Sequence, residues 1–397
     1  MAPVIDLLSP ARFRGSQPHE QFAWLRSHAP VHRHAEPGGP GFWAVTRYDD
    51  VKAVGRDPER FSSRPTIMLE DPEPGSPVGD HQMMLMSDPP VHTKMRRLLS
   101  REFTPRAAEA LRSRMAELAA TIVDGVAERD GCDLVTDVAG DMPSFVIAEL
   151  LGIPPEDGRR LYHCTEALHS VRDPANRAQR AAAFKEMFDY SQQVWHEKSA
   201  APGDDLSSLL ISGSIDGIPQ DNIDFFLWFL LLVDAGGDTT RNLVGGGMLA
   251  LFEHPEQLAW LRQDLDRRLP GAVEELLRWV SPVIYMRRTV TTDTELAGTA
   301  LRTGDKVVVY YGSANRDPDV FEDAATLRLD RTPNPHVAFG GGGPHFCVGA
   351  HIARVEIHAI LRELLTRLVD VQPAGPTEWL PSTFISGPKH LPIRFSR

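Results

Sequence analysis

A glycine-rich segment near the end of the chain presents one cysteine for chemistry. Four consecutive glycines, Gly340 to Gly343, stand between Phe339 and Cys347, and Gly349 follows just before a helical-looking stretch. Glycine lets the backbone approach a large flat ligand closely, and a thiolate at the start of a helix is favoured by the helix dipole and by free N–H groups. Cys347 is therefore a candidate ligand-binding thiolate. The structural alternative is a buried free cysteine beside a flexible turn.

A second candidate site follows an uninterrupted apolar run, Phe225 to Val233. The next segment, Ala235 to Thr240, contains two glycines together with Asp238 and Thr239. These residues are costly inside a buried helix, because glycine loosens it and Asp and Thr compete for its hydrogen bonds. The pattern indicates a functional acid and alcohol at Asp238 and Thr239, with a helix end at Gly236 as the structural alternative.

Two sets of charged side chains complete the candidate residues. Glu275 and Arg278 lie one turn apart on a predicted helix, where a carboxylate and a guanidinium can pair, although such pairs are common on surface helices. Arg and His side chains can also fix anionic groups by charge-assisted hydrogen bonds. The candidate anion donors are His92 and Arg96, one helical turn apart, and Arg288 and His345. A solvated basic face is the alternative explanation for each of them.

The composition limits the function classes that are open to this chain. Its 397 residues carry a formal net charge of −12, which disfavours nucleic-acid binding because a phosphate backbone would repel the average surface. Three scattered cysteines exclude a disulfide framework and a four-cysteine cluster, and they fit a reducing cytoplasm. No targeting signal is visible at the start, and the apolar run is too short to span a bilayer, so we expect no membrane anchor.

The elements that must position these residues are predicted to be mainly helical. We expect a single domain over 1–397, mainly α with a small β region, because the chain has no internal repeat and no long low-complexity linker. The β-rich parts are predicted at about 30–60 and 283–340, and the remainder is predicted to be helical. The proline- and glycine-rich segment 70–80 is predicted to be a mobile loop.

In their order along the chain, these motifs resemble those of the cytochrome P450 family of haem-thiolate monooxygenases. The resemblance extends from about Trp43 to Pro392. It implies a triangular helical prism that holds haem b between a long distal helix and a proximal cysteine loop, with Cys347 as the iron ligand. The other residues that it places around the haem are the propionate donors His92, Arg96, Arg288 and His345, and also Ala235, Phe339, Gly343 and Gly349.

The resemblance assigns a role to the acid and alcohol. It makes Asp238 the acid that helps to deliver protons above the haem and Thr239 the alcohol that hydrogen-bonds the bound dioxygen group. Thr240 is a weaker candidate that contacts backbone.

In the same family, a Glu-x-x-Arg pair braces the proximal side of the haem. Glu275 and Arg278 are therefore expected to be structural residues. Many relatives complete this pair with an arginine, but alignment from Asn315 to Pro318 puts Thr326 at that position. This leaves the third partner open, with His336 or Arg328 as the candidate substitutes.

The cysteine loop departs from the common family pattern in its length. Phe339 lies eight residues before Cys347, whereas many members place the aromatic residue seven before; Gly343 keeps its usual place. The extra glycine resembles a bacterial subgroup that acts on sterols, terpenoids and other branched lipids. The implied function is insertion of one oxygen atom from O2 into such a hydrophobic substrate.

The implied reaction needs a substrate pocket and a source of electrons. Since no flavin or iron–sulfur pattern occurs, ferredoxin and ferredoxin reductase are the expected partners of a cytoplasmic monomer, docking near Arg96, Arg97, Arg101 and Arg354. The pocket residues expected from family position are Met83, Met84, Leu85, Val233, Ala235, Val283, Ile284, Tyr285, Phe384 and Ile385.

Three other functions compete with this interpretation. A haem-thiolate binding or gas-sensing protein would keep Cys347 but has no need of Asp238 and Thr239, and a peroxide-driven peroxygenase typically lacks that pair. A nucleotide enzyme would use the four glycines as a phosphate loop. It would need a preceding strand and a lysine or distant acid, whereas Pro344 follows the loop here.

Overall fold

Helices form most of the regular structure, as the long stretches of good helix formers predict. The computed structural model describes residues 3–72, 75, 80–168 and 176–396. The helices of these residues are α1 (His19–His28), α2 (Tyr48–Arg56), α3 (Val91–Leu99), α4 (Pro105–Ala110), α5 (Arg112–Ala127), α6 (Asp141–Leu151), α7 (Pro155–Leu168), α8 (Arg177–Ala200), α9 (Leu206–Ile211), α10 (Asn222–Glu253), α11 (Pro255–Arg262), α12 (Leu265–Val280), α13 (Tyr311–Ala314) and α14 (Ala350–Arg367).

The strands are short and form one main sheet with smaller sheets around it. In chain order they are β1 (Val31–His34), β2 (Phe42–Val45), β3 (Phe61–Ser62), β4 (Gly131–Asp133), β5 (Ser214–Ile215), β6 (Ile218–Pro219), β7 (Tyr285–Val290), β8 (Thr294–Leu296), β9 (Thr299–Leu301), β10 (Lys306–Tyr310), β11 (Val369–Pro373), β12 (Glu378–Trp379), β13 (Pro388–His390) and β14 (Pro392–Ser396). The main sheet has the order β1-β2-β10-β7-β3, in which only the β2 and β10 pair is parallel.

The longest helix, α10, runs through the helical body. Its first turn is fixed by a capping box, in which Asp221 and Asp224 each accept a hydrogen bond from the other's backbone N–H. The apolar run that follows is buried almost throughout, since α10 packs against α6, α7, α8, α12 and α14. The helix continues through Gly236 to Glu253, so the alternative of a helix end at Gly236 is wrong.

The fold is mainly α with a small sheet region, as expected, and several strands lie outside the predicted limits of that region. A three-stranded sheet of β11, β14 and β4 joins the C-terminal segment to the chain near residue 131, and β12 pairs with β13. These strands of two to five residues lie within the part that was predicted to be helical, and β4 pairs with β14 from the far end of the chain. Periodicity within such short strands cannot reveal that pairing.

Two remaining expectations concern the loop at 70–80 and the membrane. The loop lies largely outside the described residues. None of the described helices combines the length and the apolar character needed to cross a bilayer. The helical body, the main sheet and the segment between β10 and α14 surround the candidate residues described next.

Candidate active site

The four-glycine loop is shaped by its packing against α2. Gly340, Gly342 and Gly343 have φ values of +100°, +92° and +77°, a backbone region that residues with a Cβ rarely adopt. A Cβ on Gly343 would lie 2.2 Å from the carbonyl oxygen of Gly55 in α2. Glycine is therefore required here by contact between two backbones, in addition to any approach of a ligand.

The same loop places Cys347 immediately before α14. The Cys347 N–H donates to the Phe339 carbonyl at 3.0 Å, which closes the loop behind the thiol. Burial raises the pKa of Cys347, while the Gly349 N–H, Arg96 and Arg354 act in the opposite direction by favouring the thiolate. Cys347 lines a cavity that also reaches Thr239 of α10, and we call this space the Cys347 cavity.

Four basic side chains line one part of the Cys347 cavity. His92 and Arg96 come from α3, Arg288 comes from β7, and His345 precedes the cysteine. The rings of His92 and His345 lie 4.1 Å apart between centroids, and Arg96 donates to the Pro344 carbonyl at 3.2 Å. The four predicted anion donors are therefore gathered at one place by three separate segments.

The electrostatics of this basic group suit an anionic ligand. Burial lowers the pKa of Arg288, and burial followed by repulsion from Arg96 lowers that of His92 to about 4. His92 Nδ1 is buried, and it has no hydrogen-bond partner among the described residues. Glu356 is the one carboxylate among the described residues that line the cavity. An anionic group would offset the cost of burying these donors.

These residues fit a haem group with its two carboxylates. The basic set would hold the carboxylates, and Cys347 offers a thiol within the same cavity. Gly349 also lines the cavity, and a Cβ placed on it would meet no protein atom within 4 Å. The absence of a side chain at Gly349 leaves surface for a flat ligand.

The acid and alcohol of α10 point to different surroundings. Thr239 lines the Cys347 cavity, and its hydroxyl donates to the Ala235 carbonyl one turn earlier at 3.0 Å. Asp238 is 3% exposed and pairs with Arg241 at 3.4 Å between Oδ1 and Nη2. Asp238 is not among the residues described as lining the Cys347 cavity, so the predicted pair is adjacent in sequence but divided by the helix.

Thr240 makes a contact that the sequence analysis did not anticipate. Its hydroxyl interacts with the carboxyl group of Glu356, a buried residue of α14. Burial raises the pKa of Glu356 to about 7, and the bond from Thr240 acts in the opposite direction. Glu356 could have been noticed in the sequence, because it is an acid among the apolar residues of a helix that starts just after Cys347.

Glu275 and Arg278 form a fully buried pair, as a structural role predicts. Arg278 donates to both carboxylate oxygens, with Nε to Oε2 at 2.8 Å and Nη2 to Oε1 at 2.7 Å. Its other hydrogens reach the carbonyls of Asn315 and Ala324 at 2.7 and 2.9 Å. The pair thus fastens α12 to the segment that leads to the cysteine loop.

The third partner of this pair is Arg331, so the expected assignments were wrong. Arg331 Nε donates to Glu275 Oε2 at 3.0 Å. Thr326 contributes its carbonyl, which accepts from both arginines at 3.1 Å. The segment between α13 and α14 has no regular structure that would fix the alignment, and its Arg331 rather than residue 326 reaches Glu275.

The two residues proposed as substitutes have other contacts. The Arg328 side chain reaches exposed acids, although its backbone N–H donates to Glu275 at 2.9 Å. His336 lies 3.0 Å from Glu274, which also binds Arg354 through two hydrogen bonds of 2.6 and 2.8 Å. Arg354 in turn lies 4.5 Å from the centre of the Phe339 ring. A second ion group therefore supports the aromatic residue of the cysteine loop.

The predicted pocket residues divide into two groups. Met84, Leu85, Val283 and Ala235 line the Cys347 cavity, and Met286 lines it although it was not predicted. The others are not among its described lining residues: Met83, Val233, Ile284, Tyr285, Phe384 and Ile385. Ile284 and Tyr285 instead pack in the core beside the main sheet. Successive residues along an extended chain face different sides, so neighbours in sequence cannot all face one cavity.

The sequence model of the family described as Cytochrome P450 matches residues 227–378. A methyl-branched lipid omega-hydroxylase of Mycobacterium tuberculosis is 40% identical over 94% of this chain and 90% of its own length. The chain belongs to the cytochrome P450 family. A steroid C26-monooxygenase of Rhodococcus jostii is 36% identical to this P450 over 98% of the chain and 84% of its own length.

The solved structures agree with this membership. A Mycobacterium marinum cytochrome P450 in complex with pseudoionone superposes on this P450 with a TM-score of 0.93 and 38% sequence identity. The match covers 100% of this chain and 99% of the other. The P450 fold, the haem-thiolate cofactor and the monooxygenase activity expected from the sequence are confirmed. A monooxygenase of this family uses O2, a hydrophobic substrate and redox partners.

Proposed function

We propose that this P450 hydroxylates a hydrophobic substrate that carries a methyl-branched aliphatic chain. The observation that supports this most directly is the separation of charge from apolar surface within the Cys347 cavity. The basic side chains stand together at one part, where they would bind haem carboxylates. The rest of the lining is largely apolar and includes Met84, Leu85, Leu231, Leu232, Val283 and Met286. Such a surface favours aliphatic substrates.

Adaptable side chains within this lining support a branched rather than a flat substrate. Met84 and Met286 are unbranched thioethers, which adjust to irregular apolar shapes. Two relatives are named as acting on methyl-branched lipids and steroids, and a third is bound to pseudoionone. These ligands share a chemical class. All three concern largely hydrocarbon molecules, and we extend that class to this chain.

The chain's own residues have distinct tasks in this proposal. Cys347 would bind the iron of haem b, and His92, Arg96, Arg288 and His345 would hold its carboxylates. When bound, a haem-thiolate group supplies the activation of O2 and the insertion of one oxygen atom into a C–H bond. Asp238 and Thr239 would supply and orient the protons that the reaction consumes. Overall, the substrate C–H, O2, two electrons and two protons give an alcohol and one water.

We also propose ferredoxin and ferredoxin reductase as the electron donors of a cytoplasmic monomer. Among the four arginines of the predicted docking surface, Arg97 and Arg101 are exposed. Arg96 and Arg354 are partly buried and already engaged with Pro344 and Glu274. The exposed pair is therefore the better candidate for contact with an acidic protein.

The thiolate assignment can be tested by the optical spectrum of the reduced, carbon monoxide-bound protein. Wild type and the control Cys132→Ser should give the red-shifted Soret band of a thiolate-ligated haem, whereas Cys347→Ser should lose it. Cys132 lies on β4, away from the cavity, so the control changes a thiol without changing the site. Loss of the band in both variants, or in neither, would contradict the role of Cys347.

The substrate class can be tested by spectral titration with matched ligands. A methyl-branched fatty acid, a straight-chain acid of the same carbon number, a steroid with an aliphatic side chain and a small aromatic would be compared. We expect the branched lipid or the steroid to produce the spin-state shift at the lowest concentration, and product analysis should find a hydroxyl group on the aliphatic chain. Preference for the small aromatic would overturn the proposed class.

A further inference from the structure

A buried amide joins two segments that lead into the lining of the Cys347 cavity. Asn315 directly follows α13 and is fully buried. Its Nδ2 donates to Ser281 Oγ at 2.8 Å, and its Oδ1 accepts from the Val337 N–H at 2.7 Å. Ser281 lies 34 residues before Asn315 and Val337 lies 22 residues after it. One side chain therefore connects three separate parts of the chain.

Ser281 ends α12 at the point where the chain enters the cavity lining. Its φ is +46°, in the left-handed region that residues with a Cβ rarely adopt, and it is buried. Its hydroxyl donates to the Arg278 carbonyl at 2.9 Å and accepts from Asn315, which holds the turn in place. The next two residues, Pro282 and Val283, line the cavity. The turn at Ser281 therefore sets the direction in which they enter it.

Val337 stands at the beginning of the cysteine loop. Its N–H donates to Asn315, and its carbonyl accepts from the Gly340 N–H at 2.9 Å, which closes the first turn of the loop. Within that turn, the Phe339 carbonyl accepts from the Cys347 N–H at 3.0 Å. The Asn315 amide is thus connected to the backbone of the cysteine through a short series of hydrogen bonds.

The two contacts require a donor and an acceptor on one rigid group. The Val337 N–H can only donate, and the Ser281 hydroxyl already gives its hydrogen to a carbonyl, so it needs a donor. The backbone of Asn315 is fixed independently, since its N–H donates to the Tyr311 carbonyl at 2.9 Å and its carbonyl accepts from Arg278 at 2.7 Å. The side chain is therefore directed at the other two segments rather than at its own.

We propose that Asn315 is a positioning residue that sets the place of Pro282 and Val283 relative to Cys347. This inference rests on the proposed function and adds the residue that relates the substrate-lining segment to the iron ligand. Reacting groups must be held in the correct geometry, and a displacement of about 1 Å can lower a rate a hundredfold. Because one amide is bonded to both segments, the spacing between them is kept constant.

Removal of the Ser281 hydroxyl tests the substrate half of this role. The haem-loaded protein would be titrated with the methyl-branched fatty acid or the steroid, whichever wild type binds more tightly. Ser281→Ala should raise the dissociation constant, measured by the spin-state shift, roughly fivefold. Equal affinity in Ser281→Ala and wild type would overturn the proposal.

Ser191→Ala is the matched control for this titration. Ser191 is also fully buried, and its hydroxyl donates to the carbonyl of Phe188 in the same helix, α8, at 2.7 Å. The variant removes an equivalent bond away from Asn315, so it should bind the ligand like wild type. A loss of affinity equal to that of Ser281→Ala would contradict the role of the Asn315 contact.

A double-mutant cycle shows whether the effect passes through Asn315. Asn315→Leu has a similar volume but no amide, and it should raise the dissociation constant roughly tenfold. The double variant with Ser281→Ala should bind no more weakly than Asn315→Leu, since the hydroxyl has already lost its partner. A multiplied loss of roughly fiftyfold would mean that the two residues act independently, which would overturn the proposal.

The cysteine half is measured by the reduced, carbon monoxide-bound spectrum, which needs no substrate. Asn315→Leu leaves the Val337 N–H without its acceptor and should lose part of the red-shifted Soret band, whereas Ser281→Ala should keep all of it. A full band in Asn315→Leu would contradict the role of Asn315 toward Cys347.

Two outcomes remain distinguishable from failure of the inference. Ser281→Ala changes a single hydroxyl, so its affinity measurement decides the proposal even if Asn315→Leu does not fold. Failure of the proposed function would be seen in wild type itself, which would then lack the thiolate band or show no spin-state shift with any of the ligands.

Discussion

The two sides of the Cys347 cavity are built from different kinds of contact. On the cysteine side, two ion groups fix the chain: Glu275 with Arg278 and Arg331, and Glu274 with Arg354. On the α10 side, three leucines and an alanine form much of the lining, and such aliphatic side chains have no preferred direction of contact. Directional bonds suit a sulfur that must stay in one position. Non-directional packing suits a surface that must adapt to substrate.

This contrast predicts that the cysteine side is the less tolerant of substitution. Glu275→Ala would leave Arg278 and Arg331 buried without their carboxylate, at a cost of about 3–5 kcal/mol in the free energy of unfolding. Glu274→Ala is the matched control, because that carboxylate is partly exposed. Urea denaturation should give a clearly smaller loss for the control. Equal losses of unfolding free energy in the two variants would mean that burial of the Glu275 network contributes little to stability.

Glu356 joins the two sides, and it should make stability depend on pH. Its raised pKa means that folded protein keeps the proton between about pH 4.5 and 7, where the unfolded chain releases it. Stability should therefore fall as the pH rises through this window, by on the order of 3 kcal/mol. Glu356→Gln should remove most of this slope in denaturation curves from pH 4.5 to 8. If the pH dependence of stability were unchanged in this variant, a group other than Glu356 would carry the proton.

On the α10 side, substitution of the alcohol should affect chemistry more than folding. Thr239→Ala should reduce product per electron pair about tenfold, equivalent to about 1.4 kcal/mol, because its hydroxyl faces the cavity. Thermal unfolding should change little, since the lost bond is to a carbonyl of its own helix. Thr240→Ala provides the contrast, because it removes the bond to Glu356 and should alter the pH dependence of stability. Unchanged coupling in Thr239→Ala would count against its assigned role.

The smallest effect is expected at the exposed arginines beyond the cysteine side. Arg97→Gln with Arg101→Gln should slow reduction by ferredoxin a few-fold at low ionic strength, with the difference shrinking as salt is added. Arg106→Gln is a suitable control on the exposed surface of α4. Stopped-flow reduction measures the rate. Salt-independent reduction of wild type would argue against electrostatic docking.

Sequence reasoning succeeded where local chemistry defines the residue. Cys347 follows glycines whose positive φ values only glycine accommodates readily, and α10 has an apolar run long enough to require burial. It failed where the partner depends on how distant chain segments fold. Arg331 reaches Glu275 from a segment without regular structure, and Glu356 meets Thr240 only because α14 packs against α10.

The parallel pairing of β2 with β10 has a consequence for how the protein is made. Phe42 pairs with Lys306, so the N-terminal strand β2 cannot pair with β10 until the last quarter of the chain has been synthesised. The cysteine and α14 emerge from the ribosome later still. Contacts of such long sequence separation form slowly. The nascent chain therefore exposes much of the apolar surface of its helices until the last segments are synthesised and the cavity can close. Aggregation competes most strongly with folding during biosynthesis.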